Sequence, residues 1–284
     1  MLSLHTNNAA LSAQNAITKT QSALSTSQTR LSTGYRINSA MDDAAGLQIA
    51  SRLKAQTSGM AVAMRNTQNA TSMMQTAEGA LDEVSNMLIR MKDLATQAAD
   101  ASSTTDDKTA MQAEYDALGK ELGNVLKNTT FGGKTLLVGG TIAASMTFQI
   151  GASSSETMSV DLSADVTSIV TNVTAATANY AAAATGTEIT GTNANGTIGK
   201  LDTALASVNK VRSGLGAAAN RLDHVYNNLS NISSNTKAAA GLITDVDFAS
   251  ESANMTSNQM LLQAGTAMLK QTNSMSSMVM SLLQ

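Results

Sequence analysis

The sequence of 284 residues contains no proline, cysteine or tryptophan, only 2% aromatic residues and only 14% charged residues. At average usage a chain of this length would carry roughly 14 prolines, so their absence predicts long uninterrupted helices. The lack of cysteine excludes disulfides and thiolate metal ligands, and two histidines, His5 and His224, are too few for a histidine cluster. We therefore expect no metal and no cofactor.

The sequence also lacks the features of proteins that bind nucleic acid, bind or span membranes, or carry a secretory signal. A net charge of -3 without any basic tract argues against nucleic acid and anionic membrane surfaces. No apolar run reaches the roughly 18 residues that a membrane helix needs. Residues 1–20 lack the basic and continuous apolar regions of a secretory signal, so an extracellular location would require a different export route.

Apolar residues recur every seven positions along two long stretches of the chain. In each stretch a second apolar series begins three residues after the first, the a/d pattern of helices that pack along a narrow seam. Ser39 and Asp42 have the spacing of a capping box, so the first stretch predicts one helix from Met41 to Ala99. The first stretch carries Met60, Thr67, Met74, Leu81, Leu88 and Ala95 with Ala63, Ala70, Ala77, Val84, Met91 and Ala98; the second carries Leu201, Val208, Leu215, Leu222, Leu229, Thr236 and Ile243 with Ala204, Val211, Ala218, Val225, Ile232, Ala239 and Val246.

A shorter helix and a β-hairpin are predicted between these two rods. Ser103 and Asp106 have capping-box spacing, and an apolar stripe follows, which ends before Thr129. Alternating apolar residues over 146–150 and 158–162 predict a hairpin. Residues 164–199 show little pattern, which indicates a small, tolerant insert with room for a hairpin and little more. The stripe of the shorter helix consists of Met111, Tyr115, Leu118, Leu122 and Val125.

Both ends of the chain are predicted to be helices that are poor in charge. Lys19 is the only ionised residue over 2–29, and Lys270 is the only one over 252–284. We expect these helices to be largely disordered in the free monomer and to fold against other copies, since isolated helices of this composition are marginal. Heterologous contacts that do not close produce helical filaments. The candidate polymerisation residues are Leu4, Leu11, Ile17, Leu24, Leu31, Leu261, Leu262, Met268, Leu269, Met275, Leu282 and Leu283.

The fold class that these patterns predict is mainly α. Long heptad-patterned rods form a bundle with a small β-hairpin insert, and the N- and C-terminal helices pair as a coiled coil. Thr244 and Asp247 have capping-box spacing ahead of the last helix. The expected segments are 1–40 and 244–284 for the inner-core helices, 41–137 and 200–243 for the rods, and 138–199 for the hairpin and outer insert.

Particular stretches of the sequence resemble bacterial flagellins. Arg30 to Ile49 reads RLSTGYRINSAMDDAAGLQI, residues 76–81 read TAEGAL, residues 215–222 read LGAAANRL and residues 263–268 read QAGTAM. The opening MLSLHTN is most similar to lateral, swarming-type flagellins. The resemblance implies an extracellular filament subunit for swimming or swarming motility, exported without a cleaved signal peptide. It also implies an export chaperone, a filament cap and hook-junction proteins as partners.

The same resemblance implies a surface for a flagellin-sensing Toll-like receptor. The matching residues are Arg90, Leu94 and Gln97 on the first rod and Glu114 on the next helix. The family pattern has arginine where this chain has Lys92. Because lysine does not reproduce the planar guanidinium fork, reduced receptor potency is expected.

Other motifs favour different functions only weakly. Residues 132–135, GGKT, end like a phosphate-binding loop, but position 128 is Asn128 where the motif requires glycine. Gly214, Gly216 and Ala219 match a dinucleotide fingerprint inside a heptad helix, where no strand precedes them. No catalytic constellation is present, so an enzyme is not predicted. The alternatives are a hook-filament junction protein and a helical signalling hairpin, although the latter would carry Glu-rich methylation sites.

Overall fold

The protein is mainly helical, as predicted, and consists of two compact units. The computed structural model describes residues 7–180 and 185–282, with side chains of the last helix described to Ser274. One unit comprises residues 58–233 and is called the central unit; the other, residues 1–57 with 234–284, is called the terminal unit. The described elements are α1 Asn8–Thr33, α2 Ala44–Ala99, α3 Thr105–Asn128, β1 Thr130–Phe131, β2 Lys134–Thr135, β3 Met146–Gln149, β4 Thr157–Val160, α4 Ser163–Ala176, a 3-10 turn Ala178–Tyr180, α5 Ala194–Thr244 and α6 Phe248–Leu282.

The seam of α2 forms one wall of the central core. All twelve heptad residues predicted between Met60 and Ala98 are buried, Thr67 among them. The Thr67 hydroxyl donates to the Ala63 carbonyl at 2.8 Å, which satisfies a polar group inside the seam. The heptad pattern therefore predicted this helix face correctly, including its one polar member.

Ion pairs show that α5 runs antiparallel to α2 within the central unit. Lys92 Nζ lies 2.6 Å from Asp202 Oδ1. Farther back along α2, Arg212 Nη2 lies 2.8 Å from Glu78 and 2.9 Å from Asp82. Because the α2 numbers fall as the α5 numbers rise, the two helices point in opposite directions. The predicted α5 positions from Leu201 to Leu222 are all buried, and so is Leu229. Val225 is half-buried, and none of the predicted positions from Ile232 to Val246 is buried.

Helix α3 completes the three-helix part of this core. Thr104 and Asp107 form its capping box, one residue after the predicted pair Ser103 and Asp106, so that assignment was wrong. Tyr115 is fully buried, and its hydroxyl donates to the Ala176 carbonyl at 2.8 Å. Burial is the main cause that raises the pKa of Tyr115. The shift by one residue places the hydroxyl and the carboxylate in reciprocal hydrogen bonds with the backbone.

The predicted hairpin is confirmed, but the insert after it is more ordered than expected. Strands β3 and β4 pair antiparallel, with Met146 opposite Val160. Helix α4 then buries four apolar side chains, so the expectation of a hairpin and little more was wrong. Its apolar residues, which include half-buried Val170, have helical spacing, but the segment is short and its valine, isoleucine and threonine are β-branched, which lowers helix propensity. The buried residues are Val166, Ile169, Val173 and Ala176.

A buried hydrogen-bond network fastens the rest of the insert to α3. Asp116 Oδ1 accepts from the amides of Gln112 at 2.8 Å and Asn179 at 2.7 Å. Asp116 Oδ2 accepts from the Gly186 backbone N–H at 3.0 Å. Glu188 Oε2 accepts from Gln112 at 2.8 Å. Since removal of one partner leaves other buried groups unpaired, this network fixes the path of the insert.

In the terminal unit, α1 and α6 pair antiparallel. Asn7 at the start of α1 donates to the Thr272 carbonyl at 3.4 Å, and Arg30 near its end lies 3.7 Å from Glu251. Gly34 ends α1 with a φ of 77°, and its carbonyl accepts from the Val246 N–H at 3.0 Å. Both ends of the chain therefore meet in one unit, as the sequence predicted.

Two further helix starts differ from the sequence prediction. Helix α2 begins at Ala44 rather than Met41, because Asp42 accepts from Ser39 N–H at 2.8 Å and Asp43 accepts from Gly46 N–H at 2.8 Å. The backbone N–H groups of Ser39 and Asn38, which donate to the Asp42 carboxylate, lower the pKa of Asp42.

At α6 the predicted Thr244–Asp247 box does not form. The Thr244 hydroxyl donates to the Ala240 carbonyl at 3.0 Å. Asp247 instead accepts from the Ser250 hydroxyl at 2.8 Å and the Ala249 N–H at 3.0 Å, and these bonds lower its pKa. Thr244 is the last residue of α5, and α6 begins only at Phe248, so Asp247 and not Thr244 occupies the position that caps α6.

Candidate assembly surface

The terminal unit leaves many of its large apolar side chains exposed and buries very few of them. Among the described residues, Ile37 and Ala50 are the only apolar side chains of this unit that are buried, whereas the rest of the buried apolar set belongs to the central unit. Large exposed patches on a chain mark interaction sites. The exposed large side chains of the terminal unit are Leu11, Tyr35, Met41 (97%), Ile49, Leu242 (88%), Phe248, Met260, Leu261 and Met268; the central unit has Val62, Ile89 and Ile232.

The predicted polymerisation residues divide into exposed and half-buried groups. Leu11, Leu261 and Met268 are exposed. Ile17, Leu24, Leu31, Leu262 and Leu269 are half-buried, as expected for two helices that cover each other on one side only. Leu4 and Leu283 lie outside the described residues, and Met275 and Leu282 lie on α6 at positions whose side chains are outside the description.

Charge is scarce on α1 and α6, and half of it is neutralised internally. Lys19 and Arg30 are the ionised residues of α1, and Glu251 and Lys270 are those of the described part of α6. The Glu251 carboxylate is mostly buried beside the Arg30 guanidinium. Lys19 and Lys270 are left, so little charge would have to be desolvated if these faces were covered.

The threonine hydroxyl groups of α1 are satisfied within the helix. Each of five threonine hydroxyls donates to the carbonyl four residues earlier, at 2.9 to 3.1 Å. A face with such internal bonds can be buried without leaving hydroxyl donors unpaired. Sequence analysis did not find this feature, although the spacing of the threonines could have indicated it. The five residues are Thr18, Thr20, Thr26, Thr29 and Thr33.

Sequence analysis also missed the exposed apolar residues between the terminal helices and the rods. Tyr35, Met41, Leu242 and Phe248 lie in or beside segments that join helices, where heptad periodicity gives no signal. Their size and apolar character in otherwise polar segments was the signal that could have found them. They extend the candidate surface beyond the heptad positions.

The predicted receptor residues lie on the central unit and are only partly exposed. Arg90 Nη2 lies 2.7 Å from Glu114 Oε1, which joins α2 to α3, and both side chains are about half exposed. Gln97 is exposed. Leu94 is only 2% exposed and belongs to the core, although it lies off the heptad series. The accessible part of this face is therefore formed by Arg90, Gln97 and Glu114.

Neither a membrane-spanning helix nor a cluster of metal ligands is found in the described part of the chain. None of its helices has the length and apolar character that crossing a bilayer demands. Within residues 7–180 and 185–282, no three potential metal-ligating side chains come together.

Comparisons with known proteins match almost the whole chain. Residues 4–141 match the family described as bacterial flagellin N-terminal helical region, and residues 198–283 match bacterial flagellin C-terminal helical region. The chain is similar to a flagellin of Halalkalibacterium halodurans, with 39% identity over 88% of each chain, and to flagellin A of Vibrio anguillarum, with 33% identity over 100% of each. A solved structure from Vibrio parahaemolyticus, described as flagellar hook-associated, has a TM-score of 0.58 and 17% identity, over 72% of this chain and 99% of that one.

Proposed function

Because the chain belongs to the bacterial flagellin family, we propose that its terminal unit is the surface through which copies join into a filament. The protein is a structural subunit of the flagellar filament and self-assembles in an extracellular polymer. One observation above all supports the proposal that the terminal unit drives assembly. Among the described residues, the terminal unit holds most of the exposed large apolar side chains, whereas its buried apolar side chains are only Ile37 and Ala50.

The physical chemistry of this surface suits burial between copies. Apolar side chains gain free energy when they leave water, and the terminal helices carry few charges whose desolvation would oppose that gain. The α1 threonine hydroxyls already have acceptors. We propose that the terminal unit provides the inner core of the filament and that the rods surround it. In this proposal residues 1–40 and 244–284 form the inner core, residues 41–137 and 200–243 form the rods, and residues 138–199 form the outer insert.

The test places a charge on the exposed face of α6. The double variant Leu261→Lys, Met268→Lys alters two side chains that are more than half exposed, so it should fold like the parent. Thr174→Lys on α4 adds a charge at an exposed position of the insert and serves as the control. Polymerisation of purified protein under salting-out conditions is followed by sedimentation and negative-stain microscopy.

We expect the α6 variant to raise the critical concentration for filament formation by about a hundredfold or more, since an unpaired charge would be buried. The control should polymerise like the parent. Normal filaments from the α6 variant, with a folded subunit by circular dichroism, would refute the assignment of the terminal unit. Equal loss in both variants would also count against it, since the effect would not depend on the surface.

The family supports further proposals about export and partners. We propose that the chain is exported without a cleaved signal peptide and that an export chaperone, a filament cap and hook-junction proteins bind it. We also assign it to the lateral, swarming type on the opening MLSLHTN and infer that it has no catalytic activity. The hook-associated likeness concerns the fold alone at 17% identity, so it does not favour a junction protein.

The face around Arg90 supports recognition by a flagellin-sensing Toll-like receptor. Arg90, Gln97 and Glu114 present polar groups to a partner, while buried Leu94 packs beneath them in the core. Arg90→Ala should lower the receptor response of cultured reporter cells at least about tenfold, because a charge-assisted contact is lost. Lys210→Ala breaks a comparable surface pair with Asp165 and is the control. An unchanged response to the Arg90 variant would remove the receptor assignment.

A further inference from the structure

Methionine side chains are distributed unevenly between the two units. Among the described side chains, six methionines of the central unit are buried, with Met74 at 1% and Met91 at 0% exposure. In the terminal unit, Met260 and Met268 are 60% and 64% exposed on α6. The buried set comprises Met60, Met73, Met74, Met91, Met146 and Met158.

Exposure decides which thioether an oxidant reaches. A peroxide transfers its terminal oxygen to the methionine sulfur: the O–O bond breaks, an S–O bond forms and the sulfur loses two electrons. The departing hydroxide or alkoxide takes the proton of the transferred oxygen and leaves as water or an alcohol, respectively. The product is methionine sulfoxide, which is polar and reducible by methionine sulfoxide reductases. Met260 and Met268 should therefore react ahead of the buried methionines.

The two residues also belong to the surface on which assembly is proposed to depend. Leu261 and Met268 are seven residues apart, so they lie on one side of α6, and Met260 adjoins them. In the free subunit a sulfoxide at either position faces water and costs the fold little. In a filament it would place a strong hydrogen-bond acceptor in a covered apolar contact.

Nearby hydroxyls do not offer an obvious partner for that acceptor. The Thr266 hydroxyl donates to the Gln263 carbonyl, and the Thr272 hydroxyl donates to the Met268 carbonyl, both at 2.8 Å. An oxidised subunit would thus bury an unsatisfied oxygen or break one of these bonds. Either event weakens association between copies, while the helix itself is unaffected.

We propose that Met260 and Met268 form a peroxide-sensitive modification site whose conversion to sulfoxide prevents a free subunit from joining a filament. This inference rests on the proposed role of the terminal unit. Subunits already in the filament are protected, because their thioethers are covered. Met41 is even more exposed and lies on the segment before α2, which also belongs to the candidate surface. Met41→Leu is therefore present in the parent and in every variant tested, so that its sulfur does not enter the comparison.

The test exposes full-length free subunits to hydrogen peroxide and then removes the oxidant. Peptide mapping by mass spectrometry locates added oxygen, and sedimentation measures the critical concentration. We expect oxygen on Met260 and Met268 before Met74 and Met91, and a critical concentration raised about tenfold, the effect of one unsatisfied buried acceptor. Treatment with a methionine sulfoxide reductase should restore the original value.

Two variants make the result specific. Met260→Leu, Met268→Leu removes the reactive sulfurs and should polymerise normally after peroxide. Met64→Leu, Met87→Leu removes two half-buried sulfurs of the central unit and should remain sensitive. Equal sensitivity of the α6 variant and the parent would overturn the proposal, as would normal polymerisation of a parent oxidised at both positions. Failure of the untreated parent to polymerise would instead count against the proposed function.

Discussion

At the scale of single residues, side-chain carboxylates determine where helices begin. Asp107 accepts from the Thr104 hydroxyl at 2.6 Å and from the Thr104 N–H at 3.0 Å. The hydroxyl is the main cause that lowers the pKa of Asp107, followed by the backbone bond. Spacing alone placed this cap one residue too early, because Ser103 and Asp106 offer the same pattern. Only the backbone conformation distinguishes the two pairs.

The capping carboxylate makes stability depend on pH in the acid range. A group whose pKa is lower in the folded state stabilises above its unfolded pKa and loses that contribution as pH falls through the folded value. Asp107→Asn should therefore lower the free energy of unfolding at pH 6, and the difference from the parent should shrink below about pH 4. Urea unfolding of both proteins between pH 3 and pH 6 measures this difference in the free energy of unfolding. A difference that grows toward acid pH would contradict the capping role of the Asp107 carboxylate.

The buried network around Asp116 gives a second prediction at this scale. Asp116→Ala removes the acceptor of Gln112, Asn179 and Gly186 N–H. Leaving buried donors unpaired should lower the free energy of unfolding by about 2 to 4 kcal/mol. Asp223→Ala, at an exposed position on α5, is the control and should change stability by less than about 0.5 kcal/mol. Equal effects in chemical denaturation would show that the network adds nothing.

At the scale of elements, heptad periodicity predicted the long helices well but did not predict the short helix α4. The α2 seam is buried at every predicted position. Helix α4 was missed because its apolar stripe is short and is made of β-branched residues, Val166, Ile169, Val170 and Val173, which have lower helix propensity. Of the candidate surface, the heptad residues of α1 and α6 were predictable. Tyr35 and Phe248 were not, since their exposure depends on how the joining segments fold back.

Two glycines within α2 provide a matched test of how closely the hairpin loop approaches that helix. A Cβ added at Gly59 would lie 2.7 Å from the Ala152 side chain, whereas one added at Gly79 would meet nothing within 4 Å. Gly79→Ala should stabilise the protein by up to about 1 kcal/mol through helix propensity. Gly59→Ala should lose that gain to steric overlap and be neutral or destabilising. Equal stabilisation of both variants, measured by thermal unfolding, would contradict the close contact.

At the scale of the whole molecule, the buried apolar side chains belong almost entirely to one continuous stretch of chain. Residues 58–233 contain all described members of the buried apolar set except Ile37 and Ala50. A stretch with its own core is expected to fold without the rest. The terminal unit, in contrast, depends on residues from both chain ends and covers few of its own apolar side chains.

This distribution predicts different behaviour of the two units in solution. A fragment of residues 58–233 should be helical and should unfold cooperatively, with a midpoint close to that of the full chain. The full-length free subunit should have less helix than its sequence patterns predict, because its ends fold fully only against other copies. Circular dichroism of both, before and after polymerisation, gives the comparison. Equal helix content per residue in fragment and free subunit would contradict this expectation.

The meeting of the first and last helices has a consequence for incomplete products of synthesis. Asn7 contacts Thr272, and Arg30 contacts Glu251, so the paired structure exists only when the polypeptide has been synthesised at least as far as Thr272. A prematurely terminated chain would retain a folded middle yet lack half of the pair. Truncated chains that lack α6 would therefore fail to join the filament because they cannot form the α1–α6 pair, and no separate quality-control factor would be needed.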